Sequence, residues 1–286
     1  MKIKYLGNFD NPYSDSTEKH IKYALEMRGH KVKTFDEKSF NMEDLVNYKA
    51  DIFLFHKGGV DADSLINILS NITCKKVMWY FDKVWKERIG WMELVVPFVD
   101  YAFQTDETWT KRHTYKNVHV LRQGIGNEDT SLGTPKDKYK CDIAFLGSLY
   151  GERQKFADAL TAVYGSKFKV FNNVFNRDLY DLCASAKIIV APMFPQDDFY
   201  WSSRVYMTTG SGGFMIHPRF EALKEEFEDG KHIVTYKYGK ELKEKIDYYL
   251  EHEDERKAIQ KAGYEHCIEN YTYFDRVKDL IEIVQS

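Results

Sequence analysis

The chain alternates short apolar segments with longer amphipathic segments, a pattern typical of strands and helices that follow one another along a protein. In the first half, apolar segments predict strands over residues 2–7, 31–35, 50–56, 75–82, 101–105 and 118–121. Helices are predicted from an Asp15-Ser16 cap to Gly29, after an Asn41 cap, and over 61–72. Strands that alternate with helices form βαβ units, so this half predicts a parallel sheet.

The same alternation starts again after a polar stretch, residues 122–140, which contains Gly, Pro and Lys and is the best candidate for a linker. The second half predicts strands over 141–147, 167–172, 187–194 and 232–236, and one that ends at His217-Pro218. It predicts helices over 152–164 and 177–186, from about Glu221, and over 239–252, 254–269 and 273–284. Two such series joined by a linker indicate two doubly wound α/β domains.

Composition narrows the function classes without selecting one. The 286 residues are 43% hydrophobic and carry a net charge of −3, which fits a well-buried core and excludes a global field that attracts nucleic acid. The four cysteines are far apart and form no C-x-x-C pair, so we expect buried reduced thiols and no metal site. The sequence shows no signal peptide and no apolar run of membrane length, which predicts a cytoplasmic protein.

The loops beyond the carboxyl ends of the strands are the first candidates for a site, because ligands bind there in open parallel sheets. The loop 147–153 follows a strand and starts a helix. Gly147 lets a ligand approach the backbone, Ser148 offers a hydroxyl group, and Arg153 can form two bonds with a phosphate. The alternative is an ordinary turn between strand and helix, with Arg153 in solvent.

A second candidate lies within residues 197–218, where a helix start and three glycines stand between two strands. Ser202 and Ser203 are good N-cap residues, and Arg204 adds a positive charge directly after them. We expect a phosphate at this helix start, unless a serine caps the helix's own amides instead. Asp198 fits a role as hydrogen-bond acceptor for sugar hydroxyl groups.

Polar groups also follow the strands of the first half. Gly7 and Asn8 begin a polar loop after the first strand, and His56, Lys57 and Asp82 follow two other strands. An imidazole and a carboxylate at neighbouring strand ends can transfer a proton or bind a hydroxyl group. The alternative is that Asp82 caps the next helix and that His56 is only a polar strand end.

Several segments carry a family resemblance. They are FLGSLYGERQKF (145–156), ASAKIIVAPMF (184–194), SSRVYMTTGSGGFMIHP (202–218) and a block over 227–277 that contains GKHIVTY and AGYEHCIENYTYFDR. These segments resemble the glycosyltransferase group 1 domain of the GT-B fold, and most closely its CgeB-like (spore maturation protein) branch. In the first half, GNFDNPYSDSTEKHIKYALEMRGHKV and WYFD resemble the same branch more weakly, so the likeness covers most of the chain.

The resemblance implies two Rossmann-like domains that face each other across a cleft. It divides the chain into an acceptor-side domain (1–124), a linker (125–140), a donor-binding domain (141–270) and a C-terminal helix (271–286) that packs back on the first domain. A sugar would move from a nucleotide-diphosphate sugar to an acceptor hydroxyl group, with retention of configuration and without a metal ion or other cofactor.

The resemblance also implies roles for single residues. The donor diphosphate, base and sugar would contact Gly147, Ser148, Arg153, Asn173, Val174, Ser202, Ser203 and Arg204. The acceptor side would comprise Gly7, Asn8, His56, Lys57 and Asp82. For catalysis, Asp82 or His56 would orient the acceptor hydroxyl group, and Arg153 would stabilise the leaving diphosphate.

One position departs from the family pattern, since Met207 stands where the family has a glutamate that holds the nucleotide ribose. Asp198 and Tyr206 are the residues we expect to supply substitute contacts with the donor. Two other functions stay open: a nucleotide-sugar epimerase on the same fold, and a non-catalytic nucleotide-sugar binding module.

The acceptor is also open among a polysaccharide, a protein, a small metabolite and a modified DNA base. A DNA acceptor would require a basic strip, for which the chain offers Lys57, Lys83, Lys86, Arg88, Lys111 and Arg112. The alternative is that these side chains form an ordinary solvated face.

Overall fold

The chain folds into two compact units, each built around its own parallel sheet. The computed structural model describes residues 1–11, 16–56, 60–126, 131–194 and 196–286. Unit 1 comprises Met1–Glu128 and Tyr273–Ser286, and unit 2 comprises Asp129–Thr272. Within each unit, apolar clusters lie on both faces of the sheet. The prediction of two doubly wound α/β domains is confirmed.

In the described part of unit 1, six parallel strands form one sheet in the order β2-β1-β3-β4-β5-β6. The strands are β1 (Lys2–Gly7), β2 (Lys31–Asp36), β3 (Ile52–Phe55), β4 (Lys75–Tyr80), β5 (Tyr101–Gln104) and β6 (Val118–Val120). Every one of them lies within one or two residues of a predicted strand. All strands run the same way, so the loops after β1, β3 and β4 lie at one edge of the sheet.

Five helices in the described part of unit 1 connect these strands: α1 (Thr17–Met27), α2 (Met42–Asn47), α3 (Ala62–Asn71), α4 (Glu87–Val95) and α5 (Glu107–Arg112). The predicted caps are present, since the Ser16 and Asn41 side chains accept the N–H groups of Lys19 and Asp44. Helices α4 and α5 were not predicted. Helix α4 has no capping side chain and contains Gly90, so its local signals are weak.

A buried cation holds the end of helix α2. Lys4 points away from solvent in β1, at 2% exposure, and its ammonium group donates to the carbonyl oxygens of Leu45, Val46 and Tyr48 at 3.0–3.2 Å. Burial lowers the pKa of Lys4. The carbonyl groups at a helix C-terminus carry partial negative charge and favour a cation there, which offsets the cost of burying it.

Replacing Lys4 with methionine should therefore destabilise unit 1, because three buried or partly buried carbonyl groups lose their donor while the side-chain volume is nearly kept. We expect the free energy of unfolding to fall by about 3 kcal/mol, measured by urea titration. Lys2→Met is the matched control on the same strand, at an exposed position, and should change it by less than about 0.5 kcal/mol. Equal effects of the two substitutions would contradict a stabilising role for the Lys4 ammonium.

In the described part of unit 2, a five-stranded parallel sheet has the order β11-β10-β9-β7-β8. Its strands are β7 (Cys141–Leu146), β8 (Phe168–Phe171), β9 (Ala186–Val190), β10 (Met215–Pro218) and β11 (Val234–Tyr236). Its helices are α6 (Glu152–Tyr164), α7 (Arg177–Ser185), α8 (Arg204–Gly210), α9 (Gly239–Glu251) and α10 (Glu253–Asn270). The predicted bounds of α6 are reproduced residue for residue.

The helix predicted from Glu221 is wrong, because only a short 3-10 turn, Ala222–Glu225, occurs there. Leu223 and Phe227 are both buried, and the backbone N–H of Phe227 donates to the carbonyl group of Leu223. The chain then turns at Gly230, whose φ of +77° suits glycine. The sequence therefore shows apolar residues at helical spacing where the structure has only a turn.

Glycines end helix α8 and bring it close to the sheet, as the sequence predicts. Gly212 has a φ of +77°, and the N–H groups of Gly212 and Gly213 donate to the carbonyls of Thr209 and Thr208, which is a Schellman motif. A Cβ atom at Gly213 would lie 2.9 Å from the Ile189 side chain of β9. The close packing of α8 therefore positions its first residue, Arg204, relative to the ends of β7 and β9.

The last helix, α11 (Tyr273–Gln285), packs on unit 1. Its apolar face contributes Val277, Leu280 and Ile281 to the same cluster as Ile21 and Leu25 of α1. The Arg276 guanidinium donates to the Gln123 carbonyl group at 3.1 Å. The C-terminal segment is thus part of the core of unit 1.

Candidate functional site

Two arginines of unit 2 lie where the strands of its sheet end. Gly147 follows β7 with a φ of +136°, and a Cβ atom there would lie 3.7 Å from Nη2 and 3.8 Å from Nε of Arg204. The guanidinium group therefore lies against the backbone of Gly147. Arg204 also donates through Nη1 to the carbonyl oxygen of Pro192, just after β9, at 3.4 Å. Two loops that the sequence singles out thus meet at one guanidinium.

The charge of Arg204 is not neutralised within the protein. Among the described residues, Arg204 forms no ion pair with a carboxylate, and its one hydrogen bond goes to a carbonyl group. Burial lowers its pKa to about 10, and the positive charge of Arg153 adds to this effect. The group still carries its proton at neutral pH. A partly buried cation without a counterion is a place where an anionic ligand is favoured.

Arg153 contributes the second charge. It lies in the first turn of α6, with its guanidinium carbon 4.6 Å from the centroid of the Tyr150 ring. Its Nε is buried and has no hydrogen-bond partner in the described part of the chain. Two guanidinium groups that raise each other's electrostatic energy, one of them with an unused buried donor, match the charge and the hydrogen-bond acceptors of a diphosphate.

The three predicted serines have less definite places. Ser148 is exposed, directly after Gly147. Ser203 occupies the N-cap position of α8, but its backbone is helical and its side chain makes no capping bond. The alternative, in which this hydroxyl group caps the helix's own amides, is therefore not what the structure contains. Ser202 is half-buried, and its carbonyl group accepts the N–H of Val205.

The residues predicted to lie near the base surround the end of β8. Asn173 is exposed and adopts a φ of +54°, which is sparsely populated for a residue other than glycine but tolerated by asparagine. Val174 is buried at 8% exposure in an apolar cluster against which Met207 packs. The position where the family pattern has a glutamate is thus part of an apolar wall in this chain.

Tyr206 makes its contacts within unit 2. The ring is fully buried, its hydroxyl group donates to the carboxylate of Glu226, and it accepts the indole N–H of Trp201 at 3.0 Å. These bonds favour a structural role for Tyr206, and its contact with the donor stays a prediction. Asp198 is exposed, and its backbone carbonyl accepts the N–H of Ala222 at 2.9 Å, which leaves its carboxylate at the surface.

One residue near Arg204 was not assigned to the site from sequence. His217 is the second-last residue of β10, is 1% exposed, and donates its Nδ1 proton to the carbonyl group of Pro218 at 2.7 Å. Burial, together with the charge of Arg204, lowers the pKa of His217 to about 4. A usable signal was present in the sequence, because His217 is a polar residue at the carboxyl end of an apolar strand.

In unit 1, His56 is part of the core rather than a free imidazole. Its Nδ1–H donates to the Trp79 carbonyl group at 2.6 Å, and its Nε2 accepts the hydroxyl group of the buried Tyr5. Burial lowers the pKa of His56 to about 4, so the ring is neutral at physiological pH. Both ring nitrogens are occupied, which favours a structural role over the predicted proton transfer.

The other acceptor-side candidates lie at the same edge of the unit 1 sheet. Asp82 is exposed, and its carboxylate pairs with Arg88 at 3.1 Å. Gly7 ends β1 beside the Glu18 side chain, and the Oδ1 of Asn8 is buried with no hydrogen-bond partner in the described part of the chain. Lys57 lies outside the described residues. Asp82 and Asn8 keep groups with which a hydroxyl-bearing ligand can interact.

The basic residues considered for a DNA acceptor are interspersed with carboxylates. Arg88 pairs with Asp82, and Glu107 pairs with Lys111 at 2.9 Å and with Arg122 at 2.7 Å. Lys86 stacks over the Trp85 ring at 4.3 Å. A DNA-binding face requires an excess of unpaired cations for the phosphates. The described part of this surface has mixed charge, which favours the ordinary solvated face.

The buried neutral histidines make the stability of the protein sensitive to acid. His56 and His217 have folded-state pKa values of about 4, against about 6.5 for an unfolded chain. The unfolded state therefore binds more protons between these values, so stability is complete above about pH 6.5 and decreases as the pH falls toward 4. Between about pH 6.5 and 4, we expect each of the two rings to lower the free energy of unfolding by up to about 3 kcal/mol.

Urea unfolding at several pH values would measure this loss. His56→Gln and His217→Gln should each make the free energy of unfolding less dependent on pH below about 6.5. His252→Gln, at an exposed position, is the control and should leave the pH dependence unchanged. An acid sensitivity that is the same in all four proteins would contradict the assignment to these two rings.

Two kinds of feature are absent from the described residues. No group of three or more His, Cys, Asp and Glu side chains there has the arrangement needed to hold a metal ion. No described helix is both long enough and apolar enough to span a lipid bilayer.

Two parallel-sheet α/β units, one of which has an arginine without a carboxylate partner at its strand ends, define a two-domain, Rossmann-like protein. Residues 134–282 match the model of a family described as glycosyl transferase-like. Because this match covers more than half of the chain, the protein belongs to that family. The narrower CgeB-like relationship stays a prediction.

Solved structures agree with the fold. Anabaena HepE in complex with UDP-glucose is 12% identical, with a TM-score of 0.69 over 100% of this chain and 99% of that one. Sucrose-phosphate synthase from Thermosynechococcus elongatus is 10% identical, with a TM-score of 0.72 over 100% and 98%. A glycosyltransferase from Rickettsia africae is 11% identical, with a TM-score of 0.68 over 99% and 97%. These likenesses confirm the predicted GT-B fold.

No curated protein matches the chain in sequence.

Proposed function

We propose that this protein is a glycosyltransferase that moves a sugar from a nucleotide-diphosphate sugar to the hydroxyl group of an acceptor. The observation that carries the proposal is the pair of guanidinium groups of Arg153 and Arg204 beside Gly147, without a carboxylate to neutralise Arg204. Membership of the glycosyl transferase-like family supports it. So does the fold shared with Anabaena HepE, whose structures contain UDP and UDP-glucose.

The proposed chemistry follows from where negative charge develops. When the bond between sugar and diphosphate breaks, the leaving nucleoside diphosphate gains charge on its phosphate oxygens. Arg204, held by Pro192 and by the packing of α8, offers donors that need no reorganisation at that moment. Arg153 adds a second cation. These groups supply charge stabilisation of the kind that a metal ion supplies in other enzymes, so we expect activity without one.

The finer parts of the proposal rest on the resemblance to CgeB-like proteins. They are retention of configuration at the transferred sugar, the base at Asn173 and Val174, and an acceptor that contacts Gly7, Asn8 and Asp82. Among the possible acceptors, the mixed charge around Asp82 and Glu107 favours a polyhydroxylated or protein acceptor over DNA.

A binding screen followed by a transfer assay tests the proposal. Calorimetry with UDP, UDP-glucose, GDP and GDP-fucose should identify a nucleotide that binds in the presence of EDTA. Mass spectrometry of candidate glycans, proteins and metabolites, each incubated with the best donor, should then show an added sugar. No binding by any of the four nucleotides would contradict the proposed function.

The same assays separate the two alternatives. An epimerase would convert the sugar of the donor into its epimer without any acceptor. The epimer has the same mass as the donor sugar, so an analysis that distinguishes the two isomers of the nucleotide sugar detects it. A non-catalytic module would bind a nucleotide sugar firmly and neither hydrolyse nor transfer it. Loss of transfer on EDTA addition, with recovery on adding magnesium, would contradict only the metal-independent part of the mechanism.

A further inference from the structure

His217 is the one polar side chain at the end of β10 whose chemistry the proposed function does not use. The ring is buried at 1% exposure, beside Phe220, whose ring centroid lies 5.2 Å away at 90°. Strand β10 pairs with β9 through Ile216 and Val190, and the N–H of Ala191 donates to the carbonyl of Ile216. His217 is therefore next to the segment that holds Arg204 through Pro192.

The hydrogen bond of Nδ1 determines what the other nitrogen can do. Nδ1 carries the proton because it donates to the carbonyl oxygen of Pro218 at 2.7 Å. Nε2 then has a lone pair and accepts hydrogen bonds. No residue in the described ranges donates to it. A buried imidazole with an unused acceptor, close to an unneutralised guanidinium, is an arrangement that a ligand can complete.

Arg204 and Nε2 of His217 favour different chemical groups on a ligand that contacts both. Arg204 favours an anion, whereas Nε2 needs a hydrogen-bond donor and is not satisfied by the oxygens of an ionised phosphate. A sugar hydroxyl group linked to a diphosphate meets both requirements. The strand order places β10 and β8 on opposite sides of β9 and β7, so His217 lies on the side away from Asn173 and Val174. With the base near β8, the transferred sugar falls on the β10 side.

We propose that Nε2 of His217 accepts a hydrogen bond from a hydroxyl group of the transferred sugar, and thereby helps select the donor. The inference rests on the proposed function, because it presupposes a diphosphate at Arg204. His217 acts on the sugar and not on the nucleotide. Its removal should therefore affect a nucleotide sugar more than the matching nucleoside diphosphate.

Calorimetry of the wild type, His217→Phe and His217→Gln with UDP and with UDP-glucose tests this. GDP and GDP-fucose form a second pair, in case the protein prefers another base. For the pair of ligands that binds, we expect His217→Phe to lower the affinity for the nucleotide sugar about tenfold. The affinity for the nucleoside diphosphate should fall by less than about twofold. His217→Gln keeps an acceptor oxygen and should recover part of the loss.

The outcomes separate this inference from the proposed function. A wild type that binds neither pair overturns both. A wild type that binds, with the sugar nucleotide and the diphosphate weakened equally or not at all in His217→Phe, overturns the role of His217 and leaves the proposed function standing.

If His217→Phe does not fold, deoxy analogues of the bound sugar provide the measurement. The wild type should lose about tenfold in affinity with one deoxy analogue, and His217→Gln should lose clearly less with that same analogue. Equal losses in the two proteins would overturn the inference.

Discussion

Arg204→Ala is expected to lower the affinity for the best-binding nucleoside diphosphate about a hundredfold and the rate of sugar transfer by at least as much. The guanidinium has no carboxylate partner within the described structure, so its charge is available to the ligand. Each charge-assisted hydrogen bond contributes about 1.5–3 kcal/mol, and two of them account for the effect. The fold should survive, because Arg204 makes one long hydrogen bond to the protein.

Two further variants determine what the loss means. Arg204→Lys keeps the charge but not the two parallel donors, and we expect a loss of roughly tenfold. Arg219→Ala is the matched control in the same unit, since Arg219 is exposed and already pairs with Asp229 at 3.2 Å and Glu241 at 3.4 Å. Affinity and turnover should be nearly unchanged in it. If Arg204→Ala also binds and transfers normally, the cationic site is not the donor site.

Gly263→Ala is expected to produce the largest loss of stability. Gly263 lies within α10, and a Cβ atom there would be 2.1 Å from the carbonyl oxygen of His232. This oxygen belongs to the backbone just before β11. A rotamer change can therefore not remove the clash. We expect the free energy of unfolding of unit 2 to fall by about 3 kcal/mol or more, measured by urea or thermal denaturation.

Gly90→Ala is the contrasting control. Gly90 also lies within a helix, α4, but a Cβ atom there meets nothing within 4 Å. Alanine at an open helical position should stabilise the protein by about 0.5–1 kcal/mol, because it restricts the unfolded chain and favours the helix. The same substitution at two helical glycines is thus expected to change stability in opposite directions. The close-approach argument fails if Gly263→Ala is neutral or stabilising.

Elements with strong local signals were predictable from sequence. Helix α6 was predicted with its observed bounds, Glu152–Tyr164, and the Ser16 and Asn41 caps are those that the structure contains. Strands β3 and β4 are apolar along their whole buried length, as expected for strands covered on both faces. In all these elements, neighbouring residues carry enough of the free energy to determine the local conformation.

Elements stabilised from a distance were not predictable. Helix α4 follows the N-cap residue Lys86, which has a φ of 53° and no capping bond, and Met92 and Val95 of this helix pack in the core of unit 1. The turn at 222–225 has the composition of a helix, yet it ends after one turn, and the chain turns again at Gly230, whose φ is +77°. Helix α4 thus depends on packing that its own sequence does not show.

The candidate site shows the same division. Gly147, Arg153 and Arg204 could be identified as candidates because they lie beyond the carboxyl ends of predicted strands, where ligands bind in open parallel sheets. Their convergence could not, since it depends on the strand order that brings β7 beside β9. The surroundings of His56 and Tyr206 could not be predicted for a related reason: polarity is visible in the sequence, whereas the partners Tyr5, Trp79 and Glu226 that satisfy it are not.

The order of residues alone determined the two α/β series, the strands and most helix starts, because periodicity and capping act over a few residues. Only the tertiary structure decided which polar groups are satisfied and which are left for a ligand. His56 has both ring nitrogens bonded within the protein, whereas Arg204 has an uncompensated charge. The physical reason is that hydrogen-bond satisfaction and charge compensation depend on distances across the fold, which the sequence does not contain.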